Sequence, residues 1–127
     1  KFTLPTIDAT ADANGTGPGN DPNNTNNLGA TYTFIVETAA TDMDIKTDGT
    51  DKFVGSVMVG VDDGSKKAFV PAAANDVVNL NGEAGAGNAT KGGLIGSRIK
   101  FTAVAANQYM VEGLLIGDGT IVTPFGN

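Results

Sequence analysis

Short runs of alternating apolar and polar residues, separated by turn-forming pairs, constrain this chain more than any other feature. In residues 31–39, TYTFIVETA, the aromatic side chains of Tyr32 and Phe34 fall on one face and Thr33 and Ile35 on the other. A period of two indicates a half-buried β-strand, and no long segment shows the period of a helix. Asn-Gly and Asp-Gly pairs between such runs favour tight turns. The sequence therefore predicts an all-β fold.

Nine segments carry the strand pattern: 1–5, 31–39, 43–47, 52–62, 67–72, 76–82, 97–105, 108–117 and 120–125. Short strands at this spacing are typical of an antiparallel β-sandwich or β-barrel built from hairpins with long irregular loops. We expect the last two segments to form a hairpin through the turn at 117–119. Pairing should stop at Pro124, because proline cannot donate to a ladder. In the fourth segment apolar side chains fall on both faces, so both faces of that strand are candidates for burial.

The 127 residues are one domain in length, and we expect a single β domain over 1–127. Residues 8–29, rich in Gly, Asn and Asp, are almost free of large apolar side chains and predict a long flexible loop. A loop of this length is either a tolerated insertion or an arm that grips a partner. The chain opens at Lys1 inside a predicted strand and without Met, so we expect trimming or a missing leading segment.

The residue types that are missing exclude much of enzyme chemistry. The chain has no Cys and no His, which removes thiol nucleophiles and every Ser-His or Cys-His pair. Trp is absent as well, although aromatic side chains commonly line sugar clefts. We therefore expect a protein that is not an enzyme and needs no cofactor.

The charge balance bears on partners. The formal net charge is −6, and no basic cluster is larger than Lys66-Lys67. Nucleic-acid binders normally carry a basic patch or stripe, so we expect no nucleic-acid partner. No stretch approaches the roughly 20 apolar residues that span a bilayer, so we expect no membrane partner either.

One acidic cluster is a candidate for calcium. Its four carboxylates belong to Asp42, Asp44, Asp48 and Asp51. Calcium takes several oxygen ligands from a loop, but Lys46 and Phe53 occupy positions where the EF-hand pattern requires ligands. Strand alternation offers the simpler interpretation, in which Asp42 and Asp44 face solvent and Asp48 lies in a turn. The prediction is no metal site, with this cluster as the weak alternative.

The closing stretch carries a resemblance to a known group. Residues 103–113 read AVAANQYMVEG and residues 119–125 read GTIVTPF. This resembles the ending of virion structural proteins of tailed bacteriophages, where an "AVAAN-x-aromatic-x-V-x-G" hairpin precedes "GT-x-x-TPF". The matching positions are Ala103 to Asn107, Tyr109, Val111, Gly113, Gly119, Thr120, Thr123, Pro124 and Phe125. Members of the group often have Trp at the position of Tyr109. Segments 1–5, 30–57 and 75–82 resemble the body of the same group, so the likeness covers most of the chain apart from 8–29.

The resemblance implies a capsid decoration, or cement, protein on the outer surface of the virion. Such a protein would bind across major capsid protein subunits, and it would commonly assemble as a trimer or dimer. The alternative is a tail or fibre component, or an adhesin-type module that contacts the host surface. Phe2, Pro124 and Phe125 are the candidate contacts with a subunit or the capsid. For Phe125, burial in its own core is the favoured interpretation over docking into a neighbour.

Overall fold

The structure is a computed structural model that describes residues 1–10, 25–39, 41–82 and 87–127. Nine strands account for its regular structure, and the described residues contain no helix. They are β1 (Phe2–Thr3), β2 (Thr31–Ile35), β3 (Met43–Lys46), β4 (Lys52–Gly60), β5 (Lys66–Phe69), β6 (Val77–Leu80), β7 (Arg98–Ala105), β8 (Gln108–Ile116) and β9 (Phe125–Gly126). The all-β prediction is confirmed.

The strands form two sheets that share one core. The four-stranded sheet has the order β1-β3-β6-β9, and the five-stranded sheet has the order β2-β7-β8-β4-β5. Among the described residues neither sheet closes on itself, so the fold is an open two-sheet sandwich. Both sheets are mixed, because β1 pairs with β3 and β4 pairs with β8 in parallel, whereas the other pairs are antiparallel.

Inward-facing residues of both sheets build the core. Ile45 and Val78 of the four-stranded sheet are fully buried together with Phe53 and Phe101 of the five-stranded sheet. The rings of Phe53 and Phe101 lie 5.2 Å apart between centroids, a distance at which aromatic pairs attract. The two faces predicted for β2 are also confirmed: Tyr32 and Phe34 pack on this core, while Ile35 is exposed.

The hairpin predicted for the last two segments is wrong. β8 lies in the five-stranded sheet, but residues 117–124 cross to the four-stranded sheet, where β9 pairs with β6. Hydrogen bonds hold the crossing segment: Gly117 N donates to Gly60 O at 2.9 Å, and Val122 N donates to Thr90 O at 2.9 Å. Pairing begins after Pro124 instead of stopping there, since Phe125 is the first residue of β9.

Of the other predicted turns, two join neighbouring strands of one sheet and one joins strands of different sheets. Asn107 has a φ of 61° and closes the tight β7–β8 hairpin, as its sequence context predicts. The turn at 61–65 joins β4 to β5 as an antiparallel hairpin. The turn at 47–49, in contrast, joins β3 to β4 across the sandwich, because these two strands belong to different sheets.

The two ends of the loop predicted at 8–29 are tied together. Asp8 N donates to Asn27 Oδ1 at 2.9 Å, and Asn27 N donates to Asp8 O at 3.0 Å. Hydrogen bonds from Thr10 and Thr25 lower the pKa of the Asp8 carboxyl to about 2. Residues 11–24, on which most of the loop prediction falls, lie outside the described residues.

Candidate interaction surface

The outer face of the five-stranded sheet carries a row of side chains that runs across all five strands. The register pairs Ile35 with Arg98, Arg98 with Leu114, Leu114 with Met58, and Met58 with Ala68. Because side chains on a strand alternate between faces, these residues share the face opposite the core. One end of this outer face is therefore mostly apolar.

Four members of this face are large and exposed, and we call them the apolar patch: Ile35, Met58, Leu114 and Ile116. Leu114 and Met58 are direct neighbours across the β8–β4 pair, at 41% and 40% exposure. Ile35 is 66% exposed and is separated from Leu114 by Arg98, which lies opposite both residues in the register. Each of the four side chains is at least 38% exposed, whereas the sequence pattern had predicted that both faces of β4 could be buried.

A shallow depression of about 330 Å³ adjoins the patch. Its lining consists of Thr33, Arg98, Ile99, Lys100, Glu112, Gly113 and Leu114. Lys100 and Glu112 face each other across β7 and β8 and form an ion pair at its rim. The surface thus combines apolar contacts with paired and unpaired charges, which is the composition of a protein-binding face more than of a small-molecule cleft.

The outer face of the four-stranded sheet has the opposite character. Asn79 Nδ2 donates to Asp42 Oδ1 and, at 2.8 Å, to Asp44 Oδ1. Lys91 Nζ donates to Asn79 Oδ1 at 3.1 Å, which completes a polar network across this face. Polar groups that bond to one another and to water have little to gain from a partner, so the apolar patch is the stronger candidate for an interface.

The calcium candidates separate into two pairs. Asp42 and Asp44 share Asn79, while Asp48 and Asp51 lie beyond β3 around the turn at 47–49. Within the part of the chain that the structure describes, no group of three or more His, Cys, Asp or Glu side chains could hold a metal ion. Backbone N–H groups of Asp51 and Thr50 bond to Asp48 and lower the pKa of its carboxyl.

Asp51 is the one carboxylate of this group that lies inside the protein. Its side chain is fully buried, Oδ2 accepts from Ile7 N at 2.9 Å, and Oδ1 has no hydrogen-bond partner. Burial, reinforced by the nearby charge of Asp48, raises the pKa of the Asp51 carboxyl. The bond to Ile7 fastens the segment after β1 onto the sandwich, so the role visible for Asp51 is to hold this segment in place.

The three predicted contact residues take different positions. Phe2 is 49% exposed and its ring lies 5.2 Å from that of Phe34, so an open side remains available. Pro124 is buried, and its carbonyl accepts from Asn79 N at 2.8 Å. Phe125 is 8% exposed within the core cluster, which agrees with the favoured interpretation of its burial.

The residues of the closing motif serve the fold. Tyr109 is fully buried and its hydroxyl donates to Pro5 O at 2.7 Å, while burial raises the pKa of that hydroxyl. Gly113 packs against β7, where a Cβ atom would lie 2.6 Å from Arg98 O. Thr123 Oγ1 accepts from Phe125 N at 3.2 Å at the start of β9. The motif therefore specifies how the end of the chain crosses between the sheets.

Sequence reasoning missed the apolar patch, although its signal is present. Ile35, Leu114 and Ile116 stand at positions of the alternation that the pattern assigns to solvent. A large apolar side chain at such a position marks an interface when several of them meet, and only the strand register brings these together.

The fold and this surface define an all-β, two-sheet protein in which one outer face carries an apolar patch and the other is polar. In the described residues no helix is long and apolar enough to cross a membrane. Comparisons with protein-family models, curated proteins and solved structures found no match to the chain. Its function must therefore be argued from its own residues.

Proposed function

We propose that this chain is a non-enzymatic virion protein that decorates the outer surface of a bacteriophage capsid. In this role it binds across neighbouring major capsid protein subunits and stabilises the shell. The supporting observation is the apolar patch, which lies partly exposed on one outer face, while the opposite face is polar and internally bonded. Stable protein interfaces bury an apolar centre within a polar rim, and this face offers both.

The resemblance of the closing motif to tailed-phage virion proteins is the reason for proposing the major capsid protein as the partner. A bound decoration protein links subunits that must separate for the shell to rupture, so its binding free energy adds to shell stability. A five-stranded sheet face suits this role because it is broad enough to contact more than one neighbouring subunit.

The proposal is tested by mixing the purified protein with undecorated shells of the phage that encodes it. The protein should sediment with the shells and raise the temperature at which they rupture. Binding to host cells with no binding to shells would replace the proposal with the tail, fibre or adhesin alternative.

A matched pair of variants tests whether the patch makes the contact. Met58→Glu places a carboxylate in the patch between Leu114 and Ala68, where burying it unpaired is costly, and should weaken shell binding at least 10-fold. Val122→Glu makes the same change at 43% exposure, against 40% for Met58, on the crossing segment outside the patch. This control should bind shells as the unchanged protein does, and equal loss in both variants would overturn the role of the patch.

A further inference from the structure

At β2, the five-stranded sheet ends in an edge that no described residue pairs with from outside. β2 is the terminal strand, and its only strand partner among the described residues is β7. Ala103 N donates to Ala30 O at 3.0 Å and Val36 N donates to Ser97 O at 2.9 Å, so the even-numbered residues bond towards β7. In an antiparallel ladder the alternate residues then direct their N–H and C=O groups away. Thr31, Thr33 and Ile35 therefore present these groups at the edge.

The two edges of this sheet differ in how they are guarded. The β5 edge begins with Lys66 and Lys67 and is followed by Pro71, features that hinder pairing with another chain. β2 reads Thr-Tyr-Thr-Phe-Ile, with no charge, no proline and an unbroken register to β7. Tyr32 and Phe34 point inwards yet are only half-buried, as expected at an edge beyond which the described residues place no strand. A strand that adds here would cover both rings.

From this edge we infer that β2 pairs antiparallel with β2 of a second copy of this chain, centred on Thr33, to form a symmetric dimer. With the pairing centred on Thr33, each of the three residues whose backbone groups point away from β7 lies opposite one of the same three residues in the second copy. Thr33 then lies opposite its own copy and Thr31 opposite Ile35, and each such pair exchanges two backbone hydrogen bonds. The strand sequence is complementary to itself in this register, and this complementarity favours a second copy over an unrelated strand.

The side chains agree with this pairing on both faces. On the inner face Tyr32 of one copy lies opposite Phe34 of the other, an aromatic pair of the kind that stabilises sheets. On the outer face threonine meets threonine and isoleucine, so β-branched side chains pack together. No like charges meet, because β2 carries none.

The dimer is proposed independently of the capsid role, but it would strengthen capsid binding by presenting two binding faces. A two-fold axis perpendicular to the sheet joins two five-stranded sheets into one of ten strands. Both apolar patches then lie on the same side of the joined sheet. Two linked binding faces hold a surface more tightly than one, since the second contact forms at a high local concentration.

The test is analytical ultracentrifugation of the purified chain, which should show a concentration-dependent dimer. Thr33→Lys places two positive charges directly opposite each other and should weaken the dimer at least 10-fold. Thr33→Glu should weaken it similarly, and an equimolar mixture of the two variants should restore a heterodimer. The chain should still fold, because the Thr33 side chain faces solvent.

Ala68→Lys is the matched control, since it adds the same charge on the outer face of the opposite edge strand and should leave the dimer unchanged. A chain that stays monomeric at every concentration would overturn the inference. So would a dimer that Thr33→Lys does not weaken, or two Thr33 variants that fail to combine. These outcomes are independent of shell binding, so each proposal can fail without the other.

Discussion

At the scale of single residues, the closest constraint is the approach of β8 to β7 at Gly113. A Cβ atom there would lie 2.6 Å from Arg98 O and 3.0 Å from Ile99 Cα, closer than real contacts allow. We expect Gly113→Ala to lower the free energy of unfolding by about 1–3 kcal/mol, the usual cost of overpacking.

Gly60→Ala is the control for this substitution, because nothing lies within 4 Å of the Cβ atom it adds to β4. Glycine in a strand is less favourable than alanine, so this variant should gain up to about 1 kcal/mol. Urea denaturation of both variants measures the difference. Equal free energies of unfolding would show that β7 and β8 do not approach as closely as described.

Asp51 should give the stability of the protein a distinctive pH dependence. Its pKa is raised in the folded state, so its protonated form is favoured there, and its contribution is fullest below the unfolded pKa of about 4. That contribution is lost as the pH rises through the folded pKa. The stability of Asp51→Asn relative to the unchanged protein should therefore increase from pH 4 upwards until the folded carboxyl is fully ionised.

The change of this stability difference with pH reports on the Asp51 carboxyl alone. Any effect of the asparagine amide itself is the same at every pH and does not alter the slope. For Asp63→Asn the same stability difference should change with pH in the opposite direction, because hydrogen bonds from Ser65 lower the pKa of Asp63. The stability that Asp63 contributes is present above its unfolded pKa and is lost as the pH falls. Denaturation curves between pH 3 and 8 measure both, and a flat difference for Asp51→Asn would mean that its carboxyl is not buried.

At the scale of elements, β9 links the end of the chain to the core although it is only two residues long. Phe125→Ala should cost about 3–5 kcal/mol, because the ring is 8% exposed inside the core cluster. Phe2→Ala is the natural comparison, since that ring is 49% exposed in the strand at the other end of the same sheet. We expect about 1 kcal/mol there. Thermal unfolding of the two variants checks this order, and a larger loss for Phe2→Ala would contradict it.

The alternation of apolar and polar residues predicted the strands well, because in a half-buried strand every second side chain faces the core, as Tyr32 and Phe34 do. It could not predict which strands pair. The Asp118-Gly119 pair resembles a hairpin turn locally, but the chain crosses to the other sheet, and Gly117 and Val122 bond to segments distant in sequence. Such bonds depend on the three-dimensional arrangement, which a local pattern does not contain.

The candidate surface was harder to predict for the same reason. Ile35, Met58 and Leu114 are far apart in sequence, and each alone is an ordinary exposed apolar residue. The register of four strands places them in one row. The acidic cluster shows the converse, since Asp44 and Asp51 are close in sequence but one lies on an outer face and the other in the interior.

At the scale of the whole molecule, the two outer faces of the sandwich differ in polarity. The four-stranded face bonds its own polar groups around Asn79, while the five-stranded face leaves the apolar patch exposed. The β2 edge, which is unpaired on its outer side among the described residues, borders the face with the apolar patch, so pairing at this edge would widen that face. Under the proposed role, this widened face lies against the shell and the polar face points to solvent.

The most direct test of the proposed capsid role is a cryo-electron microscopy reconstruction of the phage particle that is proposed to carry the protein. If the proposal is right, density for the two-sheet sandwich lies on the outer surface of the capsid and bridges major capsid protein subunits. The five-stranded face, with Leu114 and Met58, should lie against the shell. Density only at the tail or fibres, or a sandwich with its polar face against the shell, would contradict it.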